Sequence, residues 1–328
     1  MQGFVDTIIL LLSFGFYIGF SLALSVPLTG AFVRLRAHYN PKGLQLDPEG
    51  DVQPHTGPVR PSSFGMLRRV YRIEGWSGLY KGLMPNMLFT LIIIAFLVTF
   101  LDVKQLRPHE AYTYTAPQTG ALEMLVYRLF AMLISLPQVI FINRAITTPY
   151  KLPYLNAIYS LRILLTPTER QRPWRLYLTP GLLAAQVLHT AFKLGLRSIC
   201  QLLLPEIASG TLTRSEDTSI VKRSIFFVIA LLGTIIMAPL EVAVIRLAIQ
   251  RNHAVPEFNS ISQEEDGDAE ETVEYSGVEE DVIGLRTERE PYTGLVDCLK
   301  RIIDEEGWGA LYRAWWLTMS GTLRVAYS

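Results

Sequence analysis

The sequence predicts an all-α membrane protein built from three tandem repeats, and three observations carry that expectation. The first is a skeleton that occurs three times. A proline sits inside an apolar run and an arginine follows seven residues later: Pro27 and Arg34 in SVPLTGAFVRLR, Pro137 and Arg144 in SLPQVIFINRAI, Pro239 and Arg246 in APLEVAVIRLAIQR. The copies recur at intervals of roughly a hundred residues, as expected of a repeated supersecondary unit. The second is a block that follows each skeleton. Leu79-Tyr80, Leu176-Tyr177 and Leu311-Tyr312 each close a polar, helix-like stretch and open a new apolar one. Residues 64–82 and 296–314 align without a gap and share Glu74/Glu306, Gly75/Gly307 and Trp76/Trp308, whereas the middle copy is worn. The third is composition. Of 328 residues, 50% are hydrophobic and 18% charged, too apolar a balance for an ordinary soluble domain of this length.

Composition also excludes several function classes. A net charge of zero gives no overall attraction to nucleic acid, so no nucleic-acid partner is expected. Cys200 and Cys298 stand far apart with no CxxC partner, which gives neither a disulfide framework nor a zinc site. The five histidines are scattered and no HExxH, GxSxG, GxGxxG or phosphate-loop pattern occurs. No catalytic residues, metal or cofactor are expected, and an enzyme is not the reading.

Taken in order, residues 4–26 are long enough to cross ~30 Å of hydrocarbon at ~1.5 Å per residue. They carry no basic flank of the secretory kind, so they read as a retained first span. Residues 38–60 are rich in proline, glycine and charge and read as an exposed loop. Residues 63–74 return to helical spacing, with Phe64, Leu67, Val70 and Tyr71 opposite Arg68, Arg69 and Arg72, too short and polar to span. Residues 85–101 are the cleanest span, and residues 122–142 form the next, with Glu123 and Arg128 inside and Pro137 interrupting. Residues 154–165 are a second short amphipathic piece, followed by a basic turn at 168–175. Residues 181–204 are the most polar span, carrying Gln186, His189, Lys193 and Arg197, and 224–249 are the fifth. Residues 257–290 turn abruptly acidic and read as a solvated insertion that folding can do without. Residues 292–306 resume the surface helix, and a sixth span begins at Trp315 but is short. The repeats are thus 1–105, 106–205 and 206–328 within one domain.

Three copies of a proline-bent span, a loop, a short helix closing on an EG…LY(K/R) block in the outer two copies, and a second span resemble the mitochondrial carrier family. The likeness covers nearly the whole chain, as a divergent, fungal-type or outer-membrane-type member. It implies six transmembrane helices in a pseudo-threefold barrel, three short surface helices on the matrix side, and one substrate cavity. The prolines bend the spanning helices so that their ends can meet and shut that cavity. The resemblance assigns Pro27, Arg34, Pro137, Arg144, Pro239, Glu241 and Arg246 to the gate and structural motif.

The departures matter as much. The family's acid position, two residues after each proline, holds Thr29, Val139 and Glu241, and its base position holds Phe32, Ile142 and Val244. At most one family-type pair can form in the ring. The substrate-contact positions fall at Phe89, Gly321 and near Ala184, none with a polar side chain. The fourth span instead offers Gln186, His189, Lys193 and Arg197, spaced 3, 4 and 4 so that all share one face. With Arg128 they are the candidate substrate-binding residues, since ionisable groups inside a membrane are costly and are expected to face a wet cavity or partner carboxylates. The plainer reading is a structural stripe satisfied by Glu123 or Glu241, or snorkelling to an interface.

Two functions follow. One is alternating-access transport of a small, anionic metabolite across a mitochondrial membrane, with the bilayer and the solute as partners, in the inner or the outer membrane as a multi-pass protein. The other is a transport-incompetent carrier homologue acting as an adaptor or assembly factor in the outer membrane, with protein partners.

Overall fold

The computed structural model describes residues 2–42, 62–100, 121–153, 156–203, 220–251, 276–277, 281–287 and 290–327. Every extended apolar run in them is helical, and no strand occurs among the described residues. Helix α1 runs Gln2–Ala37 and α2 Ser63–Leu79, followed by α3 Leu83–Phe100 and α4 Ala121–Thr147. Short helices α5 Ala157–Leu164 and α6 Pro167–Gln171 lead through a 3-10 turn at Pro173–Leu178 into α7 Leu182–Leu203. Helix α8 spans Ile220–Ile249, and α9 Leu295–Glu305, α10 Trp308–Leu311 and α11 Trp315–Tyr327 close the chain.

Pro27, Pro137 and Pro239 lie inside α1, α4 and α8, each followed by further turns of the same helix that carry the block arginine. The loop expected at 38–60 is described only as far as 42. Glu123 and Arg128 sit on α4, and their side chains lie outside the described residues.

Length and apolarity separate the helices. Gly15–Ala37 of α1 and Ser224–Ile249 of α8 are each long and apolar enough to cross a bilayer. Helix α2 and Leu83–Phe96 of α3 meet that standard only as a pair bent by 47°, and Leu133–Thr147 of α4 is a shorter apolar helix. Helix α7 has the length of a span, and its four polar side chains are what keep it below the apolarity of α1 and α8. Two helices, or three spans with the bent pair, therefore pass among the described residues, against the six expected.

The C-terminal ends of α1, α4 and α8 meet one another. One apolar cluster joins Ile140 of α4, Leu182 of α7, Val242 and Leu247 of α8 and Ile302 of α9. A second joins Leu35 of α1, Met66 and Val70 of α2, Ile146 of α4 and Ile245 of α8. Chain reversals beside these clusters need a left-handed backbone. Gly181, at φ +75°, opens α7 so close to the backbone of Gly294 and Leu295 that a Cβ there would lie 2.3 Å from the Leu295 nitrogen. Ala314 adopts φ +56° at the position that aligns with Gly82, where φ is +88°. The turn is therefore kept in the third copy even though alanine tolerates it poorly.

Residues 281–287 correct one expectation. The acidic stretch was expected to be solvated throughout, yet Val282 and Ile283 are buried in the second cluster. The physical reason is local: VIGL is an apolar island in an acidic tract, and it finds the apolar flank of α2.

Candidate functional site

The buried cations fall into two kinds. The block arginines form closed clamps. Arg34 NH2 donates to Glu74 Oε2 at 2.7 Å and to the Gly78 carbonyl at 3.1 Å. Arg144 forks onto Glu169, NH1 to Oε2 at 2.6 Å and NH2 to Oε1 at 2.9 Å, and also donates to the carbonyls of Leu164, Ala248 and Gln250. Arg246 NH2 reaches both oxygens of Glu306 at 2.8 and 3.0 Å and the His38 carbonyl, while its Nε donates to the carbonyl of Arg36. Each pair is almost fully withdrawn from solvent, with no side chain above 5% exposed. Desolvating two charges is costly, and short, multiply hydrogen-bonded geometry is what offsets it. These three arginines tie each Pro-to-Arg block to the amphipathic stretch after it and are all buried, with Nη1 of Arg246 the one fully buried guanidinium nitrogen of the three without a hydrogen-bond partner among the described residues.

Local sequence explains where the acids stand. Gly75 and Gly307, both left-handed, break the helix directly after Glu74 and Glu306, which turns those carboxylates inward. Glu169 is presented differently, by a capping box in which Thr166 Oγ1 accepts from the Glu169 N–H and Glu169 Oε2 accepts from the Thr166 N–H. Lys81 adds a second cation to the first clamp, with Nζ at 2.6 Å from Glu74 Oε1 and 2.8 Å from the Thr148 carbonyl. Burial lowers its ammonium to about 8, against the pull of the Glu74 carboxylate.

Between the clamps lies one cross-helix pair. Glu241 is the only acid in the three Pro-to-Arg blocks. Arg36 NH2 meets its Oε2 at 2.7 Å, and Thr318 of α11 donates to the same oxygen at 2.7 Å. Arg36 also donates to Thr318 Oγ1 at 2.9 Å. The base is not at the family's position, which holds Phe32, but one helical turn further on. Sequence reasoning missed Arg36 and Thr318. An i,i+4 shift along α1 was the available signal for the first, and nothing marked the second.

Helix α7 carries the open kind. Gln186, His189, Lys193 and Arg197 are all half-buried, while the large side chains exposed on α7, among them Leu183, Val187, Leu194 and Leu202, lie on its other side. His189 turns toward α8, with Nε2 buried, without a hydrogen-bond partner, and 3.7 Å from Glu241 Oε1, too far for a hydrogen bond. Lys193, one turn on, has no ion pair or hydrogen bond among the described residues. At His189 the stripe faces Oε1 of Glu241, whose other oxygen, Oε2, is held by Arg36 and Thr318. A cavity of about 850 Å³ lies elsewhere, between the α2–α3 turn and α4–α5. Phe89, one of the family's contact positions, lines it and stacks on Phe141 at 6.0 Å. None of the α7 candidates lines that cavity.

A helical chain with membrane-length apolar helices and a one-sided polar face belongs to the class of multi-helix membrane proteins. Residues 43–107, roughly a fifth of the chain, match the family model described as mitochondrial carrier protein. Within the match, the described residues hold α2, the Glu74 clamp and α3. No curated protein matches the chain significantly. The match and the two membrane-length apolar helices agree with a membrane protein.

Proposed function

We propose that the protein is a mitochondrial carrier that moves a small, anionic metabolite by alternating access, with the polar face of α7 as its solute-binding surface. The observation that carries this reading is Lys193: a cation at the middle of a membrane-length helix, half-buried, turned from the exposed apolar side and without a carboxylate among the described residues. A base in such a position attracts anions into a cleft with low-dielectric walls. Arg197 and Gln186 would complete the first contacts with a carboxylate or phosphate, and Arg128 of α4 is proposed as a further binding residue. His189 and Glu241 would link the site to the pair that closes the end.

The reading includes a six-helix, pseudo-threefold barrel made from repeats 1–105, 106–205 and 206–328. Helices α1, α3, α4, α7, α8 and α11 would be its spans, and α2, α5 and α9 its surface helices. The recurrence of the Arg–Glu clamp, once per repeat, supports that arrangement. The test is uptake by purified protein in liposomes, screened against nucleotides, carboxylates and amino acids. Saturable uptake of an anion supports the proposal. Binding without flux for every class would sink it and leave the adaptor reading.

A further inference from the structure

The three seams between repeats are not closed alike, and the difference lies in residues 281–287. Val282 and Ile283 are 5% and 6% exposed and join the cluster that holds Met66 and Val70 of α2 with Leu35 of α1. Arg69 of α2 fastens the segment by its main chain, Nε to the Val282 carbonyl at 2.9 Å and NH2 to the Asp281 carbonyl at 3.1 Å. Two residues on, the Tyr39 N–H donates to the Gly284 carbonyl at 2.9 Å, and the Gly284 N–H donates to His38 Nδ1 at 3.3 Å. Arg286 then spans to α9, with Nε and NH2 each 3.0 Å from a Glu305 oxygen and its guanidinium 5.0 Å over the Tyr292 ring. In seven residues the chain touches α2, the end of α1 and the end of α9.

The same seam carries further ties. Arg246 donates to the carbonyls of Arg36 and His38, Arg313 donates to His38, and Lys42 bonds the last turn of α9 through Glu305 and Ile303. The Arg36–Glu241 pair crosses it as well. The seam between the first and second repeats is different. Its polar ties include Lys81 to the Thr148 carbonyl, and beside them lies the 850 Å³ cavity, lined by Gly82, Met84 and Phe89 from the first repeat and by Phe141 and Leu164 from the second.

We infer that residues 281–287 are a clasp that locks the first and third repeats into one body at this end, so that the bundle opens here along the seam between the first and second repeats. The clasp takes the place of the salt-bridge ring that Thr29, Val139, Phe32, Ile142 and Val244 cannot form. Opening at the clasped seam would expose Val282 and Ile283 and break the Arg69, Tyr39 and Arg286 bonds together. Opening at the cavity seam leaves all of these contacts in place, and the cavity already interrupts the packing there, so that the two packed bodies can switch as units. The consequence for transport rests on the carrier reading, and the clasp itself is tested without flux.

Spin labels on exposed positions of the full-length protein in nanodiscs provide that test: Tyr71 on α2, Arg162 on α5 and Lys300 on α9. The native Cys200 and Cys298 are buried and stay unlabelled. The 71–300 distance distribution should be narrow and the 71–162 distribution broader. Val282→Asp combined with Ile283→Asp should broaden 71–300 to the width of 71–162. Arg69→Ala, which keeps the apolar contact, should broaden it partway and covers the case in which the double variant fails to fold. A 71–300 distribution as broad as 71–162 in the native chain, or one unmoved by Arg69→Ala, would overturn the clasp. Absent uptake together with a narrow 71–300 distribution would count against the carrier reading alone.

Discussion

Arg144 of α4 and Lys193 of α7 are both cations on largely apolar helices, and the protein treats them in opposite ways. Arg144 has a bidentate carboxylate and three backbone carbonyls, with its partner Glu169 at 0% exposure. Lys193 is half-buried and has no such partner among the described residues. A charge needed for the fold must be satisfied within the fold, or its desolvation is unrecovered. A charge kept for a solute has to be left incompletely satisfied, at a tolerable depth, until the solute arrives. In the proposed reading, the contrast separates structural from solute-binding cations without reference to the position of either in a motif.

The largest effect expected from this contrast is on the clamp. Glu169→Gln strands the Arg144 guanidinium in the interior and should cost on the order of 3 to 5 kcal/mol, enough to remove most folded protein in a detergent thermal-unfolding assay. Lys193→Gln should shift the same midpoint by no more than about 0.5 kcal/mol equivalent. Equal losses from the two would erase the distinction.

Glu241 should fall between them. Its carboxylate is shared by Arg36 and Thr318 and is 24% exposed, so part of the lost charge can be replaced by water. Glu241→Gln is expected to cost about 1 to 3 kcal/mol, because Arg36 keeps its bond to Thr318. A cost as large as that of Glu169→Gln would mean that this pair, and not the clamps, holds the helix ends together.

Lys81 sharpens the comparison through pH. Its folded value of about 8 lies below the 10.5 of the free side chain. Between those values the unfolded chain binds more protons, so the contribution of Lys81 to stability rises as pH increases through that window and is level on either side. Thermal midpoints of the parent should gain on those of Lys81→Met between pH 8 and 10. Parallel profiles would show that Lys81 is as well compensated as the three arginines.

Much of this was legible from sequence, for reasons that can be named. The Pro-to-Arg spacing and the Glu-Gly pairs at 74–75 and 306–307 marked both halves of two clamps. The third was hidden because Glu169 has no glycine after it. The Thr166-x-x-Glu169 spacing of a capping box was the remaining signal. The stripe on α7 was readable from its 3, 4, 4 spacing, but its partial contact with Glu241 depends on how α7 packs on α8, which spacing does not fix. The clasp was unreadable because the charge of the surrounding tract outweighs the four residues of VIGL in any composition window.

The central claim is that the polar face of α7 binds an anion that the protein carries. Charge reversal at Lys193 tests it most directly, in liposomes loaded with whichever solute the uptake screen identifies. Lys193→Glu should abolish uptake with an unchanged thermal midpoint, and Lys193→Arg should keep part of the rate. Uptake by Lys193→Glu at the parent rate, or a loss of uptake that only tracks a loss of folded protein, would contradict the account.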